Sequence, residues 1–210
     1  MVDNIPIYVI VCEELESRKT TTLRHLVDNR IRPHVWRGIH GTSWGLSVAD
    51  PHRHNMNGEP WLMSPGHTSL VINHVMLWQH CLLVGHDKVI IFEDDVVLPP
   101  DWSSKLTAVL ADLPADFDLC YLGWVDNGYE REFRDVRGCI KKHCGGAEPW
   151  GTHAMLISNK GLQVLFSTNQ IASQHIDNQM WELSVPYMKV FVCVPSLVNQ
   201  RSQDEWPTSL

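Results

Sequence analysis

A chain of 210 residues with 44% hydrophobic and 20% charged positions has the composition of a folded protein with one sizeable core. Its net charge of −7, with no basic run longer than Lys141-Lys142, excludes the basic stripe that a nucleic-acid surface needs. No apolar stretch reaches the ~18 residues of a membrane-spanning helix, and MVDNIPIYVIVCEE lacks a signal-peptide pattern, so a soluble cytoplasmic protein is expected.

In chain order, IPIYVIVC (5–12) is a β-branched run suited to a strand buried on both faces. SRKTTTLRHLVDN (17–29) sets Leu23, Leu26 and Val27 at helical spacing, with Ser17 as the expected cap. PHVWRGI reads as a second short strand. Residues 41–65, rich in Gly, Pro, His and Asn and without a period, are expected to form a long ordered loop, a feature more often functional than incidental. From Gly66 to Gly85 a broad apolar face runs through Leu70, Val71, His74, Leu77, Trp78 and Cys81, and Gly85 stops the helix.

KVIIF is the next strand, and it ends in Glu93-Asp94-Asp95. DWSSKLTAVLADL follows as a helix with Asp101 near its amino end, then DLCYLGW as a strand. Residues 124–149 read as a second long polar loop, GTHAMLIS as a strand, NKGLQVLFSTN and IDNQMWELS as helices, and KVFVCV as the last strand. Strands alternating with helices predict an α/β fold, with a mostly parallel central sheet flanked by helices. No repeat, low-complexity tract or linker divides the chain, so residues 1–210 read as a single domain.

The six cysteines read as free thiols, with Cys12, Cys81, Cys120 and Cys193 inside apolar runs. Cys139, His143 and Cys144 are zinc-ligand types, but their spacing follows no recognised zinc pattern. Most of the twelve histidines, His67, His74, His80 and His86 among them, read as structural or surface groups.

Three adjacent carboxylates repel one another and need water or a cation. A solvated turn that caps the next helix is the plain alternative. The immediate return to apolar residues in VVL speaks against it. In open α/β sheets ligands bind outside the carboxyl ends of the strands, where this triplet lies. Alternation along an extended chain puts Glu93 and Asp95 on one side and Asp94 on the other. Two carboxylates on one side form a hard oxygen site for Mn²⁺ or Mg²⁺, the ions that join carboxylates to phosphates.

IFEDDV, the upstream PGHTSLVINHVMLWQHCLLVG and the downstream PWGTHAMLIS together resemble glycosyltransferase family 25, the lipopolysaccharide sugar transferases and collagen galactosyltransferases with the GT-A fold. Gly66, Ser69, Asn73 and His74 stand where the family has its Gly-x-x-[Gly/Ser]-x-x-x-Ser-His helix, with Asn73 in place of serine. IYVIVCEELESRK is similar to the family's first strand and the loop that ends in Arg, here Arg18, though it lacks the usual Asn-Leu; residues 41–65 match little.

The resemblance implies a single GT-A-like (Rossmann-like) domain that moves a hexose from a nucleotide diphosphate sugar, UDP-glucose or UDP-galactose, to a glycan hydroxyl, with inversion. Asp95 would hold Mn²⁺ (or Mg²⁺), Glu93 would assist it, Asp94 would bind the ribose, and Arg18 would lie near the nucleotide. His153 is a further candidate for the metal or the acceptor, and Trp150 for stacking on a sugar. An inverting reaction needs a base, and Asp177 in QHIDNQMW is the first choice, with Asp126 and Glu148 in reserve. Arg18 as a plain exposed helix residue and Asp177 as a helix cap are the structural alternatives.

A nucleotidyltransferase would carry a Gly-rich basic loop after the first strand, and CEELESRK has no glycine. A catalytically silent nucleotide-sugar or glycan-binding module is the alternative from another class. The expected setting is a bacterial or viral-host cytoplasm, or a domain excised from a larger enzyme, with donor and acceptor as partners.

Overall fold

The computed structural model describes residues 5–46, 48–54, 60–126, 128, 131–146 and 149–201. The chain begins with β1 (Ile7–Cys12), α1 (Glu16–Asp28) and β2 (His34–Gly38), followed by β3 (Val48–His54), β4 (Pro60–Met63) and the long α2 (Pro65–Val84). Then come β5 (Lys88–Phe92), β6 (Val96–Val97), α3 (Trp102–Asp112), β7 (Leu119–Val125), β8 (Arg131–Arg137) and β9 (Ile140–Gly146). The chain continues with β10 (Trp150–Ser158), α4 (Asn159–Thr168), α5 (Ile176–Leu183), β11 (Val190–Cys193) and β12 (Asn199–Gln200).

The central sheet has the order β2-β1-β5-β10-β7-β11-β9-β8. Its pairings make β2, β1, β5, β7, β11 and β8 run one way and β10 and β9 the other. The carboxyl ends of β1, β5 and β7 therefore share one edge, the edge where the triplet emerges.

Alternation along each central strand feeds two cores. Val9, Val11, Ile90, Phe92, Cys120, Leu122 and Leu156 pack with Leu26 of α1 and Leu106 of α3. Their neighbours Ile10, Val89, Ile91, Tyr121, Met155 and Val192 pack with Trp78 of α2, Leu162 of α4 and Met180 of α5. Strands covered on both faces must be apolar at every position, which is why these runs are legible in the sequence. Where α4 begins, Gly161 lies so close to the Asp118 carbonyl that a Cβ would sit 2.1 Å from it.

The helix expected over 66–85 is α2, with Ser64 accepting from the His67 amide, Pro65 in its first turn and Gly85 at φ 81° as its stop. α1 starts at Glu16 without a side-chain cap, so Ser17 lies inside the helix and does not cap it. Both regions expected to be loops contain antiparallel hairpins: β3–β4 within 41–65, and β8–β9 within 124–149. β8 is an edge strand with mostly exposed side chains. Its ladder, together with charges of the kind that protect sheet edges, makes it a strand with little apolar burial to signal it.

Candidate active site

Each residue of the triplet is held through its backbone by a different part of the chain. The Glu93 amide donates to the His153 carbonyl at 3.0 Å, and the Arg201 amide donates to the Asp95 carbonyl at 2.8 Å. The Thr22 hydroxyl, from α1, donates to the Asp94 carbonyl. The triplet is fixed in a turn between β5 and β6, and all three residues line one pocket of about 250 Å³. Cys12 at the end of β1 and Leu15 just beyond it, Arg18 of α1, His40 after β2, and Gly66, His67 and Asn73 of α2 complete much of its wall.

The three carboxylates have different surroundings. Glu93 accepts from His74 Nε2 at 3.1 Å and from the Thr152 hydroxyl at 2.5 Å, both on Oε1. Burial pushes its carboxyl up, but the His74 and Thr152 hydrogen bonds with the His74 and His153 charges outweigh burial and hold it below its ordinary range. Asp94 accepts from Arg18 at 2.5 Å; burial nevertheless leaves its carboxyl above the usual range. Asp95 has no such donor. Its Oδ1 is buried and without a hydrogen-bond partner. Burial, with Glu93 and Asp94 adding like charge, pushes it up to about 7.

His153 lies apart from the pocket lining. Its ring is 2% exposed, its Nε2 is 3.3 Å from the Val198 carbonyl, and it packs over Gly123, where a Cβ would lie 2.3 Å from that nitrogen. Burial holds its pKa below the ordinary histidine value, with the nearby Glu93 charge opposing that shift. The expected metal set Glu93, Asp95 and His153 therefore does not converge. Among the described residues no three His, Cys, Asp or Glu side chains form a metal-holding group. The physical reason is competition: His74 and Thr152 occupy Glu93, and β7 with the 198 segment encloses His153. Cys139, His143 and Cys144 form no such group either, and the His143 ring instead meets Phe133 and Trp181 edge-on.

A single buried, unpartnered carboxylate oxygen still fits a hard cation. Mn²⁺ and Mg²⁺ often take one or two protein carboxylates and fill their remaining positions with phosphate oxygens and water.

Asp177 is in the first turn of α5. Its carboxylate accepts from the Gly151 amide at 3.3 Å and from its neighbour Asn178 at 2.9 Å. His175, just before it, stacks on His67 with ring centroids 3.8 Å apart and an interplanar angle of 25°. Since His67 lines the pocket, that stack brings the start of α5 to the pocket's rim. Asp126 lies on an exposed turn, paired with Arg131 at 2.9 Å. Glu148 falls outside the described residues.

Three residues that serve the site are not assigned to it by sequence reasoning. His74 and Thr152 orient Glu93. Asn73 clamps the chain after β2: its Oδ1 accepts from the Ile39 amide at 2.8 Å, and its Nδ2 donates to the Ile39 carbonyl at 3.1 Å. Asn73 and His74 are visible as motif positions, and their placement ahead of a strand ending in acids is the signal that could have found them.

The sequence matches the family model "Glycosyltransferase family 25 (LPS biosynthesis protein)" over residues 4–142. The chain belongs to glycosyltransferase family 25. That match includes Arg18, the α2 motif and the whole triplet, but not Thr152, His153 or Asp177. No curated protein sequence matches the chain significantly. Among solved structures, a glycosyltransferase involved in the glycosylation of the major capsid of PBCV-1 aligns with a TM-score of 0.52 at 8% identity, covering 95% of this chain and 96% of its own. Mannose-1-phosphate geranyltransferase from Thermus thermophilus aligns at 0.51 and 12% identity, covering 94% and 74%. At these identities the likeness concerns the fold, and it agrees with a GT-A-like α/β architecture. This family 25 chain is a glycosyltransferase, which implies a sugar donor and an acceptor. Among the described residues no helix is long and apolar enough to cross a membrane.

Proposed function

We propose that the chain transfers a hexose from a UDP-linked sugar to a hydroxyl of a glycan acceptor, with inversion at the anomeric carbon and with Mn²⁺ or Mg²⁺ at Asp95. The observation that carries this reading is the buried, unpartnered Asp95 oxygen in a pocket at the carboxyl edge of β1 and β5. A bound divalent ion would supply positive charge to the departing diphosphate. Asp95 holds that ion. Glu93 is fixed by His74 and Thr152, so its charge raises the affinity of the pocket for a cation.

Asp94 and Arg18 form one unit on the pocket wall, and a ribose hydroxyl or a phosphate oxygen would meet both members of it. Asp177 accepts the proton of the acceptor hydroxyl. Its two backbone hydrogen bonds, from Gly151 and Asn178, fix the orientation of the carboxylate that acts as base.

The test is turnover. Incubation with UDP-galactose or UDP-glucose and Mn²⁺ should release UDP, slowly where only water accepts the sugar. Chelation or Asp95→Asn should abolish that release. UDP release unaffected by both treatments would overturn the metal role of Asp95. Donor that binds but never turns over would favour the silent-module reading.

A further inference from the structure

β10 opens with three consecutive residues, two of which meet different parts of the site. Thr152 donates to Glu93, and the Gly151 amide donates to Asp177. Trp150 places an indole at the surface, 38% exposed, opposite Val125 of β7, itself 37% exposed. In a regular strand residues 150 and 152 would share one face. Here the register with β7 shifts between Trp150 and Ala154, and Gly151 has a φ of +89°, a value that favours glycine. A Cβ at Gly151 would also lie 3.1 Å from His153 Nδ1. This irregular start lets one short segment serve the triplet and Asp177 and still turn a large aromatic ring outward.

Other tryptophans of the chain show what a purely structural indole does. Trp78 and Trp102 are 0% and 3% exposed, and Trp124 donates its Nε1 to the Cys193 carbonyl at 2.9 Å. Trp150 differs: it is covalently next to the residue that holds Asp177. A pyranose has a face of C–H hydrogens that is apolar and slightly positive, and an indole face is apolar and slightly negative. Its hydroxyls project from the rim of the ring, so a sugar lying on an indole keeps them free to react.

Building on the proposed role of Asp177, we propose that Trp150, with Val125 beside it, is the platform on which the acceptor's sugar ring stacks. The acceptor is then a pyranoside with one face free of axial hydroxyls, held by apolar contact at Trp150 while a hydroxyl of that ring gives its proton to Asp177. A plain cross-strand pair that covers the end of the sheet is the competing account.

Ligand-observed NMR titrations separate the two. Methyl β-D-galactopyranoside, methyl β-D-glucopyranoside and methyl α-D-mannopyranoside are the probes, each with UDP and Mn²⁺ present. The proteins are the native chain, Trp150→Phe and Trp150→Leu, both apolar replacements that keep the fold comparable. At least one glycoside should bind the native chain. Its affinity should fall about five- to tenfold in Trp150→Leu and stay within about threefold in Trp150→Phe, since only the latter keeps an aromatic face. Binding of none of the three glycosides, or equal binding to native and Trp150→Leu protein, would overturn the platform. UDP affinity measured on the same samples keeps this outcome distinct from a failure of the donor reading. It should be the same in all three proteins.

Discussion

Asp95 and Glu93 are two residues apart; burial pushes both carboxyls up, but only Glu93 has hydrogen bonds and charges that outweigh it. Asp95 sits among like charges with no hydrogen-bond partner on its buried Oδ1, and burial with those charges pushes it up to about 7 from an ordinary aspartate value of 3.8. A carboxyl that holds its proton more tightly when folded contributes stability that is full below 3.8 and lost as pH rises to about 7. Metal-free protein should therefore lose thermal stability between pH 5 and pH 8, and Asp95→Asn should flatten that decline. A native melting temperature that rises over this interval would contradict the assignment. Mn²⁺ affinity should strengthen over the same interval, because the ion needs the ionised form. Glu93 behaves in reverse: its carboxyl lies below the ordinary range, so its contribution is present above that range and lost as pH falls through the depressed value. Its partner gives a second prediction. His74→Leu removes a hydrogen bond to a charged group and should cost about 2–3 kcal/mol in chemical denaturation. A cost below about 0.5 kcal/mol would mean that Thr152 alone suffices to hold Glu93.

At the scale of elements, α2 organises the donor side. Ser64 caps it, Asn73 clamps Ile39 and with it the segment carrying His40, and His74 reaches Glu93. The packing is close: a Cβ at Gly41 would lie 1.7 Å from the Pro65 carbonyl. Asn73→Ala strands the Ile39 amide and carbonyl and should cost about 2 kcal/mol, with weaker UDP binding as a second effect. Unchanged UDP affinity would show that the clamp serves stability alone. Much of this is legible from sequence. α2 announces itself through its apolar face and terminal glycine, and the central strands through unbroken apolar runs. The hairpins β3–β4 and β8–β9 are not legible, because backbone pairing defines them while their sequences are largely polar. Asn73 reads as a departure from a motif, since its partner is a backbone 34 residues away in sequence.

At the scale of the molecule, the site depends on which strands are neighbours. β10 lies antiparallel between β5 and β7. That order brings Thr152 to Glu93 and Gly151 to Asp177, and it turns His153 over Gly123, away from the pocket lining. Local sequence suggests that the Gly-Thr-His-Ala strand matters, but the strand order decides which of its residues meets the triplet. Asp177 is legible only through resemblance, and its approach to the pocket rim comes from the His67–His175 stack between α2 and α5. If Asp177 is the base, Asp177→Asn should lower transfer to an acceptor by about 10²–10⁴-fold while UDP binding stays intact. NMR of the product should show an inverted anomeric centre. Retention of configuration would remove Asp177 from that role.

The central claim is a cation-dependent donor pocket built on Asp95, and calorimetric titration tests it most directly. UDP and UDP-galactose are titrated with and without Mn²⁺ into the native chain and into Asp95→Ala. The account predicts binding that needs Mn²⁺ and is lost in the variant. Binding that ignores both the ion and Asp95, or no binding at all, would contradict it and leave the triplet as a turn that closes the edge of the sheet.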